Sequence, residues 1–137
     1  MSPAEEVKPG GSAGLVDSAE RGGGLPRALR SRARHLAMLT LYNREAHRFS
    51  EHRPLSETLR WLCKDPPRRA RARALVEAAL AERPTIDRLL EEAISEWRLE
   101  RLGAVERAAM RAAAGELTVL RDAPVGPVVN DAVELAR

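Results

Sequence analysis

The chain has 137 residues, of which 44% are apolar and 3% aromatic, and its net charge is +3 at pH 7. This length supports one domain with a single core, and the abundance of Ala and Leu favours helices over sheet. The single cysteine, Cys63, excludes an intramolecular disulfide. The sequence contains neither a membrane-spanning run of about 18 apolar residues nor a signal-peptide core. We therefore expect a cytoplasmic protein that does not contact a membrane.

The first 26 residues differ in composition from the rest of the chain. They contain six of the nine glycines, three of them consecutive at 22–24, and they end at Pro26. Such a segment cannot bury enough apolar surface to offset the entropy that ordering would cost. We therefore expect a disordered Gly/Pro-rich tail over residues 1–26 and a helical domain over residues 27–137.

Hydrophobic spacing in the second part predicts an all-α fold of about five to six helices. The expected helical stretches are 27–46, 56–63, 68–97, 105–120 and 127–137. Pro84 interrupts the third stretch and predicts either a kink or a new helix start there. Trp61 and Trp97 are expected in the core or at its edge, because large apolar rings are usually buried.

The sequence shows no arrangement of residues that is typical of catalysis. The three histidines and Cys63 lack the spacing of metal ligands, and no P-loop, dinucleotide-binding turn or nucleophile elbow occurs. We therefore predict a protein that is not an enzyme and that needs no metal or cofactor.

Arginine accounts for 21 of the 23 basic residues, and eight of these arginines lie in two clusters. The first cluster, R-A-L-R-S-R-A-R at 27–34, comprises Arg27, Arg30, Arg32 and Arg34. At a helix N-terminus these side chains and the free backbone amides favour phosphate, which predicts nucleic-acid binding; a solvated helix end is the alternative. The second cluster, which either extends such a surface or is solvated, comprises Arg68, Arg69, Arg71 and Arg73.

Several motifs follow one another in a definite order along residues 27–137. They are R-x-R-A-R-x-L-A-M-L-T-L-Y at 30–42, I-D-R-L-L at 86–90, W-R-L-E-R-L-G-A-V-E-R-A-A-M-R at 97–111, E-L at 116–117, D-A-P-V at 122–125 and V-N-D-A-V-E-L-A at 129–136. In this order and spacing the set resembles the NusB family of transcription antitermination proteins.

The resemblance implies a helical fold of two small packed subdomains and a role as an RNA-binding adaptor. It implies binding of boxA-type single-stranded RNA of ribosomal RNA operons, together with the ribosomal protein NusE, and entry into the transcribing RNA polymerase complex. By position, the first-helix arginines at 30, 32 and 34 would contact RNA. Tyr42 and Glu106 would face NusE, although Tyr42 by itself is equally compatible with a half-buried core edge. Asn130 would cap a helix.

The sequence also departs from the family's pattern. Ser31 replaces a position that is often basic, and Ala78 stands where the family usually has Gly. The family continues into a final helix containing F-V-N-G-V-L, whereas this sequence ends at Arg137, so apolar surface is expected to be exposed on neighbouring helices. Two alternatives stay open. The first is an RNA-targeting domain related to ribosomal RNA methyltransferases, in which the motif N-D-A-V-E-L-A also occurs. The second, which the missing final helix favours, is a protein-only or homodimeric helical module.

Overall fold

Six α-helices make up most of the residues that the computed structural model describes, which are 24–47 and 52–137. They are α1 (Arg27–Ala46), α2 (Leu55–Leu62), α3 (Pro66–Ala81), α4 (Arg83–Ile94), α5 (Ala104–Gly115) and α6 (Val125–Ala136). A 3₁₀ turn, Leu99–Arg101, precedes α5, and a π-helical segment, Glu116–Leu120, extends it. The all-α prediction is confirmed. Residues 1–23 of the predicted tail lie outside the described residues.

Prolines mark the start of most of these helices. Pro26, Pro54 and Pro124 directly precede α1, α2 and α6, and Pro66 is the first residue of α3. Proline suits these positions because its missing N–H and fixed φ cost nothing in a first helical turn. Pro84 is the second residue of α4, so the long third stretch divides into two helices rather than bending.

The core lies where α1 crosses α3 and α5. Within the group α1–α3 the main contact is that of α1 with α3, and this group packs on α4–α6 mainly through contacts of α1 and α3 with α5. Leu36 and Leu75 are each 1% exposed, and the alanines around them let the helix axes approach closely. The continuous cluster comprises Ala33, Leu36, Ala37, Met38, Leu41, Leu59, Cys63, Ala72, Leu75, Val76, Ala79, Ala108, Ala109 and Ala112. None of the described helices is long and apolar enough to cross a membrane.

Both tryptophans lie outside this core, so their predicted burial is wrong. Trp61 is 74% exposed and Trp97 is 61% exposed. In the short helix α2 the inward position belongs to Leu59, which is 2% exposed, and after α4 it belongs to Leu99, which is 4% exposed. The core needs no indole ring, because small and aliphatic side chains already fill the space between helices that lie close together. Tyr42 is half-buried against the cluster, as its core-edge interpretation predicts.

An exposed apolar stripe runs along α6. Val125, Val129 and Val133 recur every four residues and are 63%, 46% and 52% exposed. Residues at this spacing lie on one face of a helix. The stripe therefore gives α6 an apolar face at the surface.

Gly115 permits a close approach between α5 and α3. A Cβ atom at this position would lie 3.1 Å from the backbone nitrogen of Ala79 and 3.2 Å from its Cα atom. Backbone atoms cannot rotate away, so we expect Gly115→Ala to lower the free energy of unfolding by about 1–3 kcal/mol, as overpacking does.

Gly126, in the first turn of α6, is the matched control, because a Cβ there meets nothing within 4 Å. Gly126→Ala should be neutral or stabilising by up to about 1 kcal/mol. Urea denaturation of both variants tests this, and equal stabilities would contradict it.

Candidate nucleic-acid interface

Three of the four arginines predicted to bind RNA lie at the surface of the first turns of α1. Arg27 and Arg32 are exposed, and Arg30 is half-buried. Within the described residues the Nε atom of Arg30 is buried and has no hydrogen-bond partner, so this atom reaches a phosphate only if the side chain turns outward, which breaks no hydrogen bond at Nε. We call Arg27, Arg30 and Arg32 the α1 arginine patch.

Arg34, the fourth predicted residue, points into the protein. It is 5% exposed, and its guanidinium donates from Nε to Oε1 of Glu116 at 2.9 Å and from Nη2 to Oε2 at 3.0 Å. A third bond runs from Nη1 to Oδ2 of Asp131, also at 2.9 Å. The helical repeat places Arg34 beside the buried Ala33 and Ala37 rather than beside Arg32, which explains why its side chain turns inward.

Glu116 joins Arg34 to a second buried arginine. Arg71, which is 0% exposed, donates from Nη2 to Oε2 of Glu116 at 3.0 Å and binds both carboxylate oxygens of Asp122 at 2.9 Å. We call Arg34, Arg71, Glu116, Asp122 and Asp131 the buried arginine network. It contains two guanidinium groups and three carboxylates.

The network keeps Arg34 charged. Burial alone lowers the pKa of this guanidinium, but hydrogen bonds and negative charge from Glu116 and Asp131 outweigh burial and leave the pKa raised. A group with a raised pKa loses its stabilising effect only as the pH rises through that pKa. For an arginine this lies far above neutrality, so Arg34 itself stays charged at neutral pH.

The network connects parts of the fold that lie far apart in sequence. It joins α1 and α3 to the π-helical segment, to the turn at Asp122 and to α6, and Ser31 on α1 adds a hydrogen bond to Asp131 at 2.8 Å. Arg121, in the left-handed conformation with a φ of 57°, ends the π-helical segment directly before Asp122. The network therefore fixes the backbone from which the exposed arginines project.

Sequence reasoning missed this network. The second arginine cluster was interpreted as solvated or as RNA-binding, and both interpretations are wrong for Arg71. One signal was available, because Glu116 follows Ala112 and Gly115 on an apolar helix face, where an unpaired carboxylate would be costly. Its partners could not be named, because they lie 45 and 82 residues away in sequence.

The two arginine clusters meet in space. The Nε of Arg68, in the first turn of α3, donates to the backbone carbonyl of Arg32 at 2.9 Å. The N-terminal end of α3 is thereby held against the α1 arginine patch, and the basic surface continues from one helix to the next.

The two predicted partner-binding residues lie at the other end of α1. Tyr42 is in the last turns of α1, and Glu106 is exposed in the first turn of α5. The two helices are joined there by an ion pair of 2.6 Å between Arg107 Nη2 and Glu45 Oε2. An open groove of about 380 Å³ lies beside this pair, lined in part by Glu45 and Arg111.

Two further observations concern other predicted roles. Asn130 lies in the middle of α6, which begins at Val125, so the capping role expected for it is wrong. Within residues 24–47 and 52–137 no three His, Cys, Asp or Glu side chains are grouped so that they would hold a metal ion.

Comparison with known proteins identifies the family. The model of the NusB family matches residues 31–137. Transcription antitermination protein NusB of Desulforudis audaxviator (strain MP104C) is 35% identical over 108 residues, which cover 79% of this chain and 78% of that protein. The protein of the same name from Heliobacterium modesticaldum (strain ATCC 51547 / Ice1) is 42% identical over 66 residues, which cover 48% of this chain and 32% of that protein.

A solved structure supports the same assignment. A protein chain in a crystal structure of a plectonemic RNA supercoil superposes with a TM-score of 0.65 at 29% sequence identity, over 78% of each chain. The six helices, the ordered motifs and these matches lead to one conclusion. This chain belongs to the NusB family.

Proposed function

We propose that this protein is an RNA-binding adaptor of transcription antitermination that binds boxA-type single-stranded RNA of ribosomal RNA operons together with the ribosomal protein NusE. In this role it joins the transcribing RNA polymerase complex and carries out no chemical step. The observation that carries the proposal is the α1 arginine patch, in which Arg27 and Arg32 are exposed and Arg30 is half-buried, next to the buried arginine network. The names of the family relatives support the antitermination role.

The proposed mechanism of RNA binding is electrostatic positioning. Arg27, Arg30 and Arg32 contact backbone phosphates, and binding releases counterions from the RNA. Arg34, which the sequence groups with them, holds the patch in place from beneath. Reading of the RNA sequence then requires unstacked bases, as single-stranded RNA provides.

Fluorescence anisotropy of a boxA-type RNA tests the proposal. The RNA is titrated with the full chain at two salt concentrations, with and without the ribosomal protein. Salt-sensitive binding that the ribosomal protein strengthens is the expected result. Absence of RNA binding by a folded protein, in both the presence and the absence of the partner, would overturn it.

We propose that NusE binds where α1 and α5 meet, at Tyr42 and Glu106. Glu106→Gln should weaken binding of the ribosomal protein about fivefold, because it removes one exposed charge from the interface. Glu100→Gln is the matched control, since Glu100 is exposed and pairs only with the exposed Arg98 among the described ion pairs. Surface plasmon resonance with the immobilised ribosomal protein measures both variants. Equal affinities of Glu106→Gln and wild type would place the partner elsewhere.

The valine stripe on α6 favours a second candidate, self-association as a protein-only module. Three exposed valines on one helix face provide an apolar surface for another copy of the chain. Analytical ultracentrifugation distinguishes the two candidates, because a stable dimer without RNA affinity supports the second.

The third alternative, a domain related to ribosomal RNA methyltransferases, would require binding of S-adenosylmethionine, which calorimetry detects.

A further inference from the structure

The side chains of the second arginine cluster point in different directions around α3. Arg71 enters the buried arginine network, and Arg68 contacts the backbone of α1. Arg69 and Arg73 are one helical turn apart, so they share a third face of the helix. This face is directed toward α2.

A cleft of about 220 Å³ lies between that face and α2. Its lining includes three arginines, one hydroxyl and no carboxylate, and we call it the α2–α3 cleft. The lining residues are Ser56, Leu59, Arg60, Pro66, Arg69, Ala70 and Arg73. Three positive side chains around one opening repel one another, which an anion in the cleft would relieve.

The contacts of these arginines leave them available to an anion. Arg69 is oriented by a hydrogen bond from Nη1 to the carbonyl of Cys63 at 2.9 Å. This bond does not involve the Nε and Nη2 donors of Arg69. Arg73 pairs with Glu77 on the same helix at 2.9 Å, but both side chains are more than half exposed. Such a pair contributes little, so exchanging Glu77 for a phosphate costs little.

We propose that the α2–α3 cleft binds the phosphodiester backbone of RNA that extends beyond the segment held by the α1 arginine patch. The hydrogen bond from Arg68 to Arg32 makes the basic surface continuous, so one strand can pass from α1 across the start of α3 to the cleft. Guanidinium groups suit phosphate because they donate two parallel hydrogen bonds. Pro66 and Ala70 border the cleft with apolar surface that the sugars can contact. This inference rests on the proposed RNA-binding function.

The test compares two RNAs and one double variant. The first RNA is a core boxA-type RNA. The second is the same RNA extended at both ends by about six nucleotides, which is within the usual range of single-strand site sizes. Each RNA is titrated with wild type and with Arg60→Gln/Arg73→Gln. For the extended RNA the variant should bind about 25-fold more weakly at 0.1 M salt, with a salt slope smaller by about 1.4, because each lost phosphate contact contributes about 0.7. For the core RNA the loss should stay below about threefold.

Controls separate this inference from the proposed function. Arg88→Gln/Arg98→Gln removes the same charge from exposed positions elsewhere and should leave the slope for the extended RNA as in wild type, and circular dichroism confirms folding of both variants. If the cleft variant binds the extended RNA with wild-type affinity and slope, the cleft inference fails while the proposed function stands. If wild type binds neither RNA, both fail. Tighter binding of a polyglutamate peptide than of the extended RNA would also overturn the RNA assignment.

Discussion

Replacing Glu116 by Gln should lower the free energy of unfolding by about 3–5 kcal/mol, the range for removing one partner from a buried ion pair. Glu116 is 1% exposed and receives hydrogen bonds from both Arg34 and Arg71. Its amide substitute carries no charge and can accept at one atom only, so two buried guanidinium groups lose their shared counter-charge. Total free energies of unfolding of about 5–15 kcal/mol are typical, so this single change removes a large share of the stability of the protein.

Chemical denaturation followed by circular dichroism measures the loss. Glu77→Gln is the control, since it breaks an exposed pair with Arg73 and should cost less than about 1 kcal/mol. Arg34→Met combined with Glu116→Gln should be less destabilising than the sum of the two single changes by at least about 1 kcal/mol, because neighbouring residues are coupled. A loss below about 1 kcal/mol for Glu116→Gln would show that the network does not stabilise the fold.

Removing the α1 arginine patch should weaken RNA binding about 100-fold at 0.1 M salt. Each phosphate contact with single-stranded nucleic acid contributes about 0.7 to the slope of log affinity against log salt, so Arg27→Ala/Arg30→Ala/Arg32→Ala should reduce the slope by about 2. The folded state should persist, because Arg27 and Arg32 are exposed and none of the three belongs to the buried arginine network. Anisotropy titrations from low to high salt measure the affinity and the slope together.

A charge-matched variant shows whether the effect is local. Arg88→Ala/Arg98→Ala/Arg101→Ala removes three exposed arginines from α4 and from the segment before α5. It changes the net charge equally but should change affinity by less than about threefold. If both triple variants bind RNA equally well, the RNA does not contact the start of α1. A folded α1 variant with wild-type affinity and slope would likewise remove the α1 arginine patch from the proposed interface.

The helices themselves were predictable from local sequence. The spacing of apolar residues and the positions of Pro26, Pro54 and Pro84 indicate about five to six helices, since proline position and helical periodicity act over a few residues. The structure places α1 at Arg27–Ala46, as predicted. The proposed RNA surface at Arg27, Arg30 and Arg32 also follows from one helix N-terminus.

Tertiary packing decided whether each large or charged side chain is buried or exposed. Trp61 and Trp97 carry the residue type of a core position, yet Leu59 and Leu99 occupy the interior beside them. Which side chain faces inward depends on where the neighbouring helices lie, and hydrophobicity alone does not specify that.

Amino-acid sequence alone determined that this protein is all-helical, that its basic residues are concentrated at two helix starts, and that its motifs follow the NusB order. Only the tertiary structure decided that Arg34 and Arg71 are internal and share Glu116, while Arg32 and Arg68 form one surface. The reason is distance along the chain, because Glu116 lies 82 residues from Arg34 and 45 from Arg71. Such ion pairs form only when folded helices bring charges together in an interior that water cannot reach.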